Sequence, residues 1–365
     1  MKQRVILHCD ANNFYASCEC VMNPDLYGKP LAVAGDPKKR NGIILAKSNI
    51  AKQYGVQTGD VIWKAKQKCP NLICVAPHHA EYEKFSKKLR KIYESYTDQV
   101  EAFSIDECWL DVTGTQKFFG SGEEIAYKIK EQVKQELGLT ISVGVSFCKL
   151  FAKLGSDMKK PDAITVIPYA NFQNKIYPLA IKEVMGIGRR LEKAFHKINV
   201  YTLGDLVRIP DQVLSEKFGI VGLELKQKLL GNDTDEVAKC DTKEDIKSIG
   251  NGTTTLVDVK SMEDMKSVVM FLCDEIATRL RNKHLMSSCI SVALRSSELS
   301  WSSKSKTLLA PINTEKDIYK ESIALISTFW NGYSPIRSVR ISCSTLTSDN
   351  SYFQATLFDN TEKKQ

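Results

Sequence analysis

The stretch 103-FSIDECWLD-111 places two adjacent acids, Asp106 and Glu107, inside an apolar run. The aromatic and aliphatic residues on both sides of the pair indicate burial, whereas ionised carboxylates favour water. Two like charges about 4 Å apart repel by about 4 kcal/mol at an effective dielectric of about 20. A buried arrangement therefore needs something that offsets this repulsion, and the alternative is an exposed acidic turn.

Length and composition bound the class of protein. The chain has 365 residues, more than one ordinary domain, so several packed units are expected. No run approaches the roughly 18 apolar residues of a membrane span, and 1-MKQRVILHCD-10 is typical of a first strand rather than a signal peptide. We therefore expect a cytoplasmic protein. The 11 cysteines form no CxxC pair and the 5 histidines are scattered, so reduced, mostly buried thiols are expected rather than zinc.

The net charge of +8 is modest, but its distribution is uneven. Between Lys38 and Lys68 eight basic residues face one acid, and between Arg279 and Lys306 six basic residues face one acid. Local excess of this kind suits a polyanion such as a nucleic acid. A solvated, lysine-rich surface explains either segment alone equally well.

Periodicity predicts the order strand, helix, strand, strand, helix, strand in the first half, which is the pattern of a ferredoxin-like sheet within an α+β fold. The first and third strands of that sheet are neighbours, so Asp10, Asp106 and Glu107 should reach one rim, with a turn at 106–107. Ser121 and Glu124 predict a capping box. The predicted segments are 4–9, 80–96, 99–105, 108–113, a helix from Ser121 to Gly138, and 140–146, with an insertion at about 23–75.

The second half changes in texture. It contains a helical segment, a polar linker, a segment that mixes strands with helices, and a polar tail. The corresponding ranges are helical 171–234, linker 235–246, strands 288–295 and 336–346, helices near 262–282 and 314–330, and tail 347–365.

Three clustered carboxylates without a histidine or cysteine partner suit hard divalent cations such as Mg²⁺. Two such ions can activate a hydroxyl group and stabilise a leaving pyrophosphate. An exposed acidic hairpin remains the alternative for Asp106 and Glu107 taken alone.

Four ordered motifs resemble those of the Y-family (translesion) DNA polymerases. The first, 10-DANNFYASCE-19, is also similar to that of the catalytic subunit of DNA polymerase V, a member of this family. The others are 104-SIDE-107, 142-SVGVSFCKLFAKLGSDMKKP-161 and the turn Gly186-Ile187-Gly188. Their order is kept across nearly the whole chain, which makes the set far more specific than any one motif.

The resemblance implies a two-metal site. Asp10 and Asp106 would bridge two Mg²⁺ ions, for which Mn²⁺ can substitute. Glu107 would bind the catalytic ion, and the carbonyl of Ala11 would bind the nucleotide-side ion. The same three acids are the implied catalytic residues.

The resemblance also implies a nucleotide site. The amides of Asn13 and Phe14 would contact the dNTP triphosphate, and Tyr15 would be the steric gate that excludes a 2′-hydroxyl group. Ordinary helix-face packing is the alternative for Tyr15. Leu45 would lie near the nascent base pair.

Two lysines match the family's basic triphosphate ligands. These are Lys52 and Lys160, whose charge would neutralise the leaving pyrophosphate. This chain departs from the family here, since Asn49 holds the position of a usual tyrosine and Lys52 that of an arginine. Lysine lacks the bidentate fork of arginine.

Contacts to primer–template DNA are implied in two places. The glycine turn at 186–188 resembles a helix-hairpin-helix element, although a plain pair of helices is the alternative. Lys149 and Lys153, four residues apart on a helix, would meet the primer-side backbone, or would lie on a solvated face. The implied DNA-binding residues are Lys149, Lys153, Gly186, Gly188, Arg189 and Arg190.

The tail carries 354-QATLF-358, which resembles the pentapeptide by which bacterial polymerases hold the sliding clamp. Leu357 and Phe358 would enter an apolar pocket, and Gln354 would set the register.

Together these features predict a monomeric right-hand polymerase with a ferredoxin-like palm that extends a primer from dNTPs, with low fidelity and tolerance of damage. Two alternatives stay open, a catalytically silent DNA- and clamp-binding scaffold and a palm-type cyclase or nuclease. The predicted parts are palm 1–22 and 76–170, fingers 23–75, thumb 171–234, linker 235–245, little finger 246–346 and tail 347–365.

Overall fold

The computed structural model describes residues 4–36, 42–242 and 245–349. These divide into two compact units, one formed by the first two ranges and the other by the third. Each unit combines helices with a largely antiparallel sheet, so the predicted α+β class is confirmed. No helix within the described ranges is long and apolar enough to cross a membrane.

The main sheet of the first unit has five strands in the order β5-β6-β1-β7-β8. The predicted adjacency of the first and third strands is confirmed, because β1 pairs with β6 as well as with β7. A short strand parallel to β7 was not predicted, since three residues carry little periodicity. The strands are β1 Ile6–Ala11, β5 Val100–Ala102, β6 Glu107–Asp111, β7 Ile141–Ser146 and β8 Ile164–Val166.

Helices cover both faces of this sheet. The predicted capping box is present, with the Ser121 hydroxyl accepting from the Glu124 amide, and Gly138 ends that helix with a left-handed φ of 65°. Residues of α1, α4 and α6 share one core with the alternate positions Leu7 and Cys9 of β1, whereas α7 packs against the opposite positions. The helices are α1 Phe14–Met22, α4 His79–Glu94, α5 Gln116–Phe119, α6 Gly122–Leu137 and α7 Lys149–Met158.

The insertion between α1 and α4 forms its own small core around a three-stranded sheet in the order β3-β2-β4. Strand β2 pairs antiparallel with β3 and parallel with β4. The elements are a 3-10 turn Pro24–Leu26, β2 Leu31–Ala34, β3 Ile44–Lys47, α2 Asn49–Gln53, α3 Ile62–Lys68 and β4 Ile73–Val75.

Residues 169–232 are helical, as predicted, and share a core with α7 through Phe151 and Phe172. The elements are 3-10 turns Tyr169–Asn171 and Ile181–Glu183, α8 Phe172–Ile176, α9 Arg189–His196, α10 Leu203–Arg208, α11 Asp211–Gln227 and a π turn Lys228–Asn232.

The following segment, predicted to be a polar linker, has neither helix nor strand at 233–242, but it is fastened to the first unit. Val237 is buried beside Ile6 and Trp109. Hydrogen bonds run from Ala238 N to Glu101 Oε2 at 2.9 Å and from Cys240 N to Asp98 O at 3.0 Å.

The second unit is an antiparallel sheet in the order β11-β10-β12-β9, with two helices packed on it. Both helices and two of the strands match the predicted segments. Strands β9 and β11 were not predicted. Strand β9 is rich in glycine and threonine, strand β11 is rich in serine and lysine and largely exposed, and neither shows a regular apolar alternation. The elements are β9 Ser248–Val259, α12 Met262–Asn282, β10 Leu285–Ser296, β11 Trp301–Ile312, α13 Glu315–Ile326 and β12 Ile336–Ser348.

Candidate active site

The rim of the main sheet brings the three predicted acids together on neighbouring backbone positions. Asp10, near the end of β1, pairs with Glu107, the first residue of β6. Asp106 lies in the turn before β6, and its carbonyl accepts a hydrogen bond of 3.1 Å from the amide of Ala11. The turn predicted at 106–107 thus ends at Asp106. Since β1 is buried along its whole length, its backbone fixes where Asp10 and the Ala11 carbonyl lie.

Two lysines from α7 and the following loop pair with these acids. Lys153 Nζ lies 2.8 Å from Glu107 Oε2 and 3.3 Å from Asp10 Oδ2. Lys160 Nζ lies 2.7 Å from Asp10 Oδ2. Asp157 contacts both lysines, at 3.2 and 2.9 Å. The charges of Glu107 and Asp10 are therefore compensated in this structure by the side chains of Lys153 and Lys160, whereas neither lysine pairs with Asp106.

Within the described ranges, no group of three or more His, Cys, Asp or Glu side chains is arranged to hold a metal ion. Glu107 Oε2 is nevertheless buried without a hydrogen bond of acceptable geometry, although Lys153 and His8 are close to it. A buried oxygen left in this state, beside two further carboxylates, fits a site that accepts a cation.

The two adjacent acids have opposite electrostatic environments. Burial raises the pKa of Asp106, and the charges of Asp10 and Glu107 raise it further, while a hydrogen bond of 2.7 Å from the Ser104 hydroxyl opposes the shift. Burial also acts to raise the pKa of Glu107, but contacts with His8 and Lys153 outweigh it and lower that pKa to about 2. Glu107 is thus firmly ionised, and Asp106 carries the uncompensated share of the repulsion.

His8 is a site residue that the sequence reasoning missed. Its ring is buried, with Nε2 at 3.3 Å from Glu107 Oε2 and Nδ1 at 2.9 Å from Ser156 Oγ. Burial lowers the pKa of His8, so the ring is uncharged at neutral pH. Strand alternation places His8 on the same face as Asp10, and that spacing was the available signal.

Asn12 was also missed, although it lies inside the first motif. Its buried side chain accepts from the Asp162 amide and donates to Ser142 Oγ, each at 2.9 Å. These bonds tie the loop that carries Lys160 to β1 and β7.

The residues predicted to bind a nucleotide lie next to the acids. Asn13 precedes α1 with a left-handed φ of 50°, and its side chain donates to Asn49 Oδ1 at 2.9 Å. The first amides of a helix have no intrahelical acceptor, so those of Asn13 and Phe14 fit an anion. Burial raises the pKa of Tyr15, and the charge of Asp106 raises it further.

The remaining nucleotide-site predictions fall on the insertion. Lys52 is exposed on α2. Burial, and then the charge of Lys52, lowers the pKa of Lys47. Leu45, on β3, is partly buried against the core of the main sheet.

Among the predicted DNA contacts, the two lysines of α7 do not lie on a solvated face. Lys153 is in the carboxylate cluster. Lys149 Nζ donates to Glu101 Oε1 at 2.6 Å and lies 4.6 Å from the centre of the Trp109 ring. Their contact with DNA stays a prediction.

The glycine turn is open to solvent. Gly186 has a φ of 91° and Gly188 precedes α9. Apart from the adjoining residues of the chain, no atom lies within 4 Å of the point that a Cβ atom would occupy on either glycine. Arg189 and Arg190 follow as exposed residues. The clamp-binding prediction at 354–358 lies outside the described residues.

Comparison with known proteins covers both units. The model of the impB/mucB/samB family matches residues 9–157, and that of the C-terminal domain of this family matches residues 246–357. The chain is 41% identical to DNA polymerase IV of Acetivibrio thermocellus, covering 100% of this chain and 91% of that protein. It is 34% identical to DNA polymerase IV 2 of Bacillus subtilis, covering 100% and 89% respectively.

Solved structures agree in fold. A Y-family DNA polymerase chimera of Dbh and Dpo4 matches with a TM-score of 0.85 at 25% identity, covering 93% of this chain and 98% of that chain. The insertion ternary complex of Dbh DNA polymerase matches with a TM-score of 0.65 at the same identity and coverage. These matches extend over nearly the whole chain, and the structure places the three acids of the motifs on one rim of the sheet. The chain therefore belongs to the Y family of DNA polymerases, is related to DNA polymerase IV, and is a DNA-directed DNA polymerase.

Proposed function

We propose that the protein transfers a nucleotidyl group from a dNTP to the 3′-hydroxyl of a DNA primer, under the direction of a template, with two Mg²⁺ ions that Mn²⁺ can replace. The observation that carries this proposal is the pairing of Asp10 with Glu107 across β1 and β6, with Asp106 in the adjoining turn. Lys153 and Lys160 supply positive charge at the same rim.

The residues present suit the proposed ions. Asp10, Asp106, Glu107 and the Ala11 carbonyl offer only oxygen donors, which Mg²⁺ prefers. When bound, the ions would supply electrostatic stabilisation of the attacking and leaving oxygens. Lys153 contacts two of these carboxylates, so we infer that its contacts loosen when a cation enters.

Other residues would hold the nucleotide. Lys160, with Lys52 on the insertion, would neutralise the triphosphate and the departing pyrophosphate. The amides of Asn13 and Phe14 would donate to phosphate oxygens. Tyr15 would lie under the sugar and exclude a 2′-hydroxyl group.

The insertion supports further proposals about the base pair. Leu45 would face the nascent pair, and Asn49, hydrogen-bonded to Asn13, would border the triphosphate. The insertion is small, with short strands and helices, which supports an open site that tolerates damaged templates at low fidelity.

DNA would be held at several places. The open turn at 186–188, with Arg189 and Arg190, suits a phosphate, and Lys149 and Lys153 would meet the primer side. In the second unit the basic segment 279–306 suits the duplex backbone. We assign the palm to 1–22 and 76–170, the fingers to 23–75, the thumb to 171–234, the linker to 235–245 and the little finger to 246–346.

We further propose a monomer that acts in the cytoplasm in DNA damage tolerance and binds a sliding clamp through Gln354, Leu357 and Phe358 of the tail at 347–365. Deletion of 354–358 should lower extension only when the clamp is present. An equal loss without the clamp would contradict the tail's role.

Primer extension by the purified chain tests the reaction itself. Wild type should extend a primer with Mg²⁺ and all four dNTPs, and Asp106→Ala should abolish extension while duplex binding is retained. A wild type that binds DNA but extends no primer would support the scaffold alternative. Binding lost together with extension in Asp106→Ala would indicate a structural role for that acid.

A further inference from the structure

The ring of Tyr15 packs against the ring of a second tyrosine, Tyr82. The rings of Tyr15 and Tyr82 are stacked, with centroids 4.3 Å apart and planes at 16°. His79 meets both rings edge-on at 5.8 Å, and Phe14 lies 5.8 Å from the ring of Tyr15. Tyr15 can therefore tilt little without displacing its neighbours.

Tyr82 is in turn anchored to a buried carboxylate. Its hydroxyl donates to Glu19 Oε1 at 2.5 Å, and His78 Nδ1 lies 2.8 Å from the same oxygen. Glu19 is 4% exposed and Tyr82 is 0% exposed, so water does not compete for this bond. Burial, and then the bond to Glu19, raises the pKa of Tyr82, which keeps its hydroxyl protonated and donating.

Tyr82 contacts two residues on the same face of α1, namely Tyr15 by stacking and Glu19 by a hydrogen bond. Tyr15 and Glu19 are four residues apart on α1 and therefore lie on the same side of it. Tyr82, near the start of α4, stacks on the first and hydrogen-bonds to the second. This two-point attachment fixes the height of the Tyr82 ring along α1, and with it the plane against which Tyr15 rests.

We propose that Glu19 is a positioning residue for sugar selection, acting through Tyr82 on the steric gate Tyr15. The inference rests on the proposed function, since it requires Tyr15 to face the sugar of the incoming nucleotide. The reason that the position of the Tyr15 ring affects sugar selection is steric. A ribonucleotide differs from a deoxyribonucleotide by the one oxygen atom of the 2′-hydroxyl group. A shift of the Tyr15 ring by a fraction of an ångström would make room for that atom. The bond between Tyr82 and Glu19 would prevent this shift, because it holds the ring on which Tyr15 stacks.

The test is the ratio of kcat/KM for a dNTP to that for the matching rNTP, measured by single-nucleotide insertion with the full chain. Tyr82→Phe keeps the ring and removes the bond to Glu19, and Glu19→Met leaves the Tyr82 hydroxyl unpaired. Each should lower the ratio by about 2- to 10-fold, the effect of one lost hydrogen bond. Glu19→Gln, which still offers an oxygen to Tyr82, should stay near the wild-type ratio.

A matched control is available on the same unit. Tyr96→Phe removes a hydroxyl that donates to Gln132 Oε1 at 2.9 Å, a contact of the same kind that involves neither Tyr15 nor Tyr82. It should leave the ratio unchanged. Thermal unfolding of every variant separates loss of fold from loss of selection.

Tyr15→Ala separates the two levels of the argument. If Tyr15→Ala raises rNTP insertion but Tyr82→Phe and Glu19→Met keep the wild-type ratio, or lower both efficiencies equally, Glu19 and Tyr82 only pack and the inference is overturned. If Tyr15→Ala also keeps the wild-type ratio, the gate assignment itself fails and the inference falls with it.

Discussion

The carboxylate rim and the proposed tyrosine gate both draw on the segment 10–15, through Asp10 and Tyr15, but are built from different interactions. At the rim, Asp10 and Glu107 are held by ion pairs with lysines at 2.7–3.3 Å. At the gate, Tyr15 is held by a ring stack at 4.3 Å. A carboxylate can exchange a lysine for a metal ion without repacking of the surrounding side chains. A stacked ring, by contrast, can exclude a 2′-hydroxyl group only if the ring keeps its position. The rim is therefore suited to a changing set of charges, and the gate to a fixed shape.

The largest effect is expected where the rim lacks a lysine partner. Asp106→Asn should lower primer extension by at least about 10³-fold, because an oxygen donor and a negative charge are lost at the reacting centre. The melting temperature in EDTA should stay equal or rise, since burial and repulsion by Asp10 and Glu107 disfavour the ionised Asp106. A lower melting temperature would instead make Asp106 part of the support of the fold.

The next effect tests the gate. Tyr15→Ala should raise ribonucleotide insertion relative to deoxyribonucleotide insertion by about 10²-fold, because the ring proposed to exclude the hydroxyl group is removed. Insertion assays with paired nucleotides measure it. Tyr127→Ala, at an exposed tyrosine on α6, is the control. Unchanged sugar selectivity in Tyr15→Ala would remove the distinction between rim and gate.

Lys153→Met tests whether the rim depends on its lysines. The free energy of unfolding in EDTA should fall by about 3 kcal/mol, the lower end for a buried pair, because Glu107 and Asp10 lose a shared partner while Asp10 keeps Lys160. Mg²⁺ should then raise the melting temperature of the variant more than that of wild type.

The control for that variant is Lys84→Met, which breaks an exposed pair with Glu81 and should cost less than about 0.5 kcal/mol. Equal losses in the two variants would show that the pairing of Lys153 adds nothing to the fold.

The smallest effect concerns the loop that carries Lys160. Asn12→Ala removes two buried hydrogen bonds, so KM for the dNTP should rise by about 5- to 10-fold with a smaller change in kcat. Steady-state insertion kinetics measure both constants. Asn23→Ala, which removes one exposed bond to the Asp25 amide, should change neither. A fall in kcat at constant KM would place Asn12 in the chemical step rather than in nucleotide binding.

Much of the first unit follows from local sequence rules. Strand periodicity predicted that the first and third strands are neighbours, which placed Asp10 beside Asp106 and Glu107, and the capping box at Ser121 predicted the start of α6. These signals are local, and the topology that joins them is common. They therefore suffice to predict that the three acids meet at the rim.

The partners of the rim could not be predicted in this way. Lys153 lies 143 residues after Asp10, and its ion pairs depend on how α7 packs on the sheet rather than on spacing. The same holds for Glu19 and Tyr82, which meet across two helices. Strands β9 and β11 were not predicted because the Gly- and Thr-rich sequence of β9 and the exposed Ser- and Lys-rich sequence of β11 lack a regular apolar alternation.

The position of β1 has a consequence for how the site fluctuates. All six of its residues are buried, and it is bonded to β6 on one edge and to β7 on the other. Amide deuterium exchange along β1 should therefore require global unfolding, whereas the turn before β6 should exchange by local opening. Local opening of the surrounding loops should therefore leave the backbone of Asp10 in register with β6 and β7.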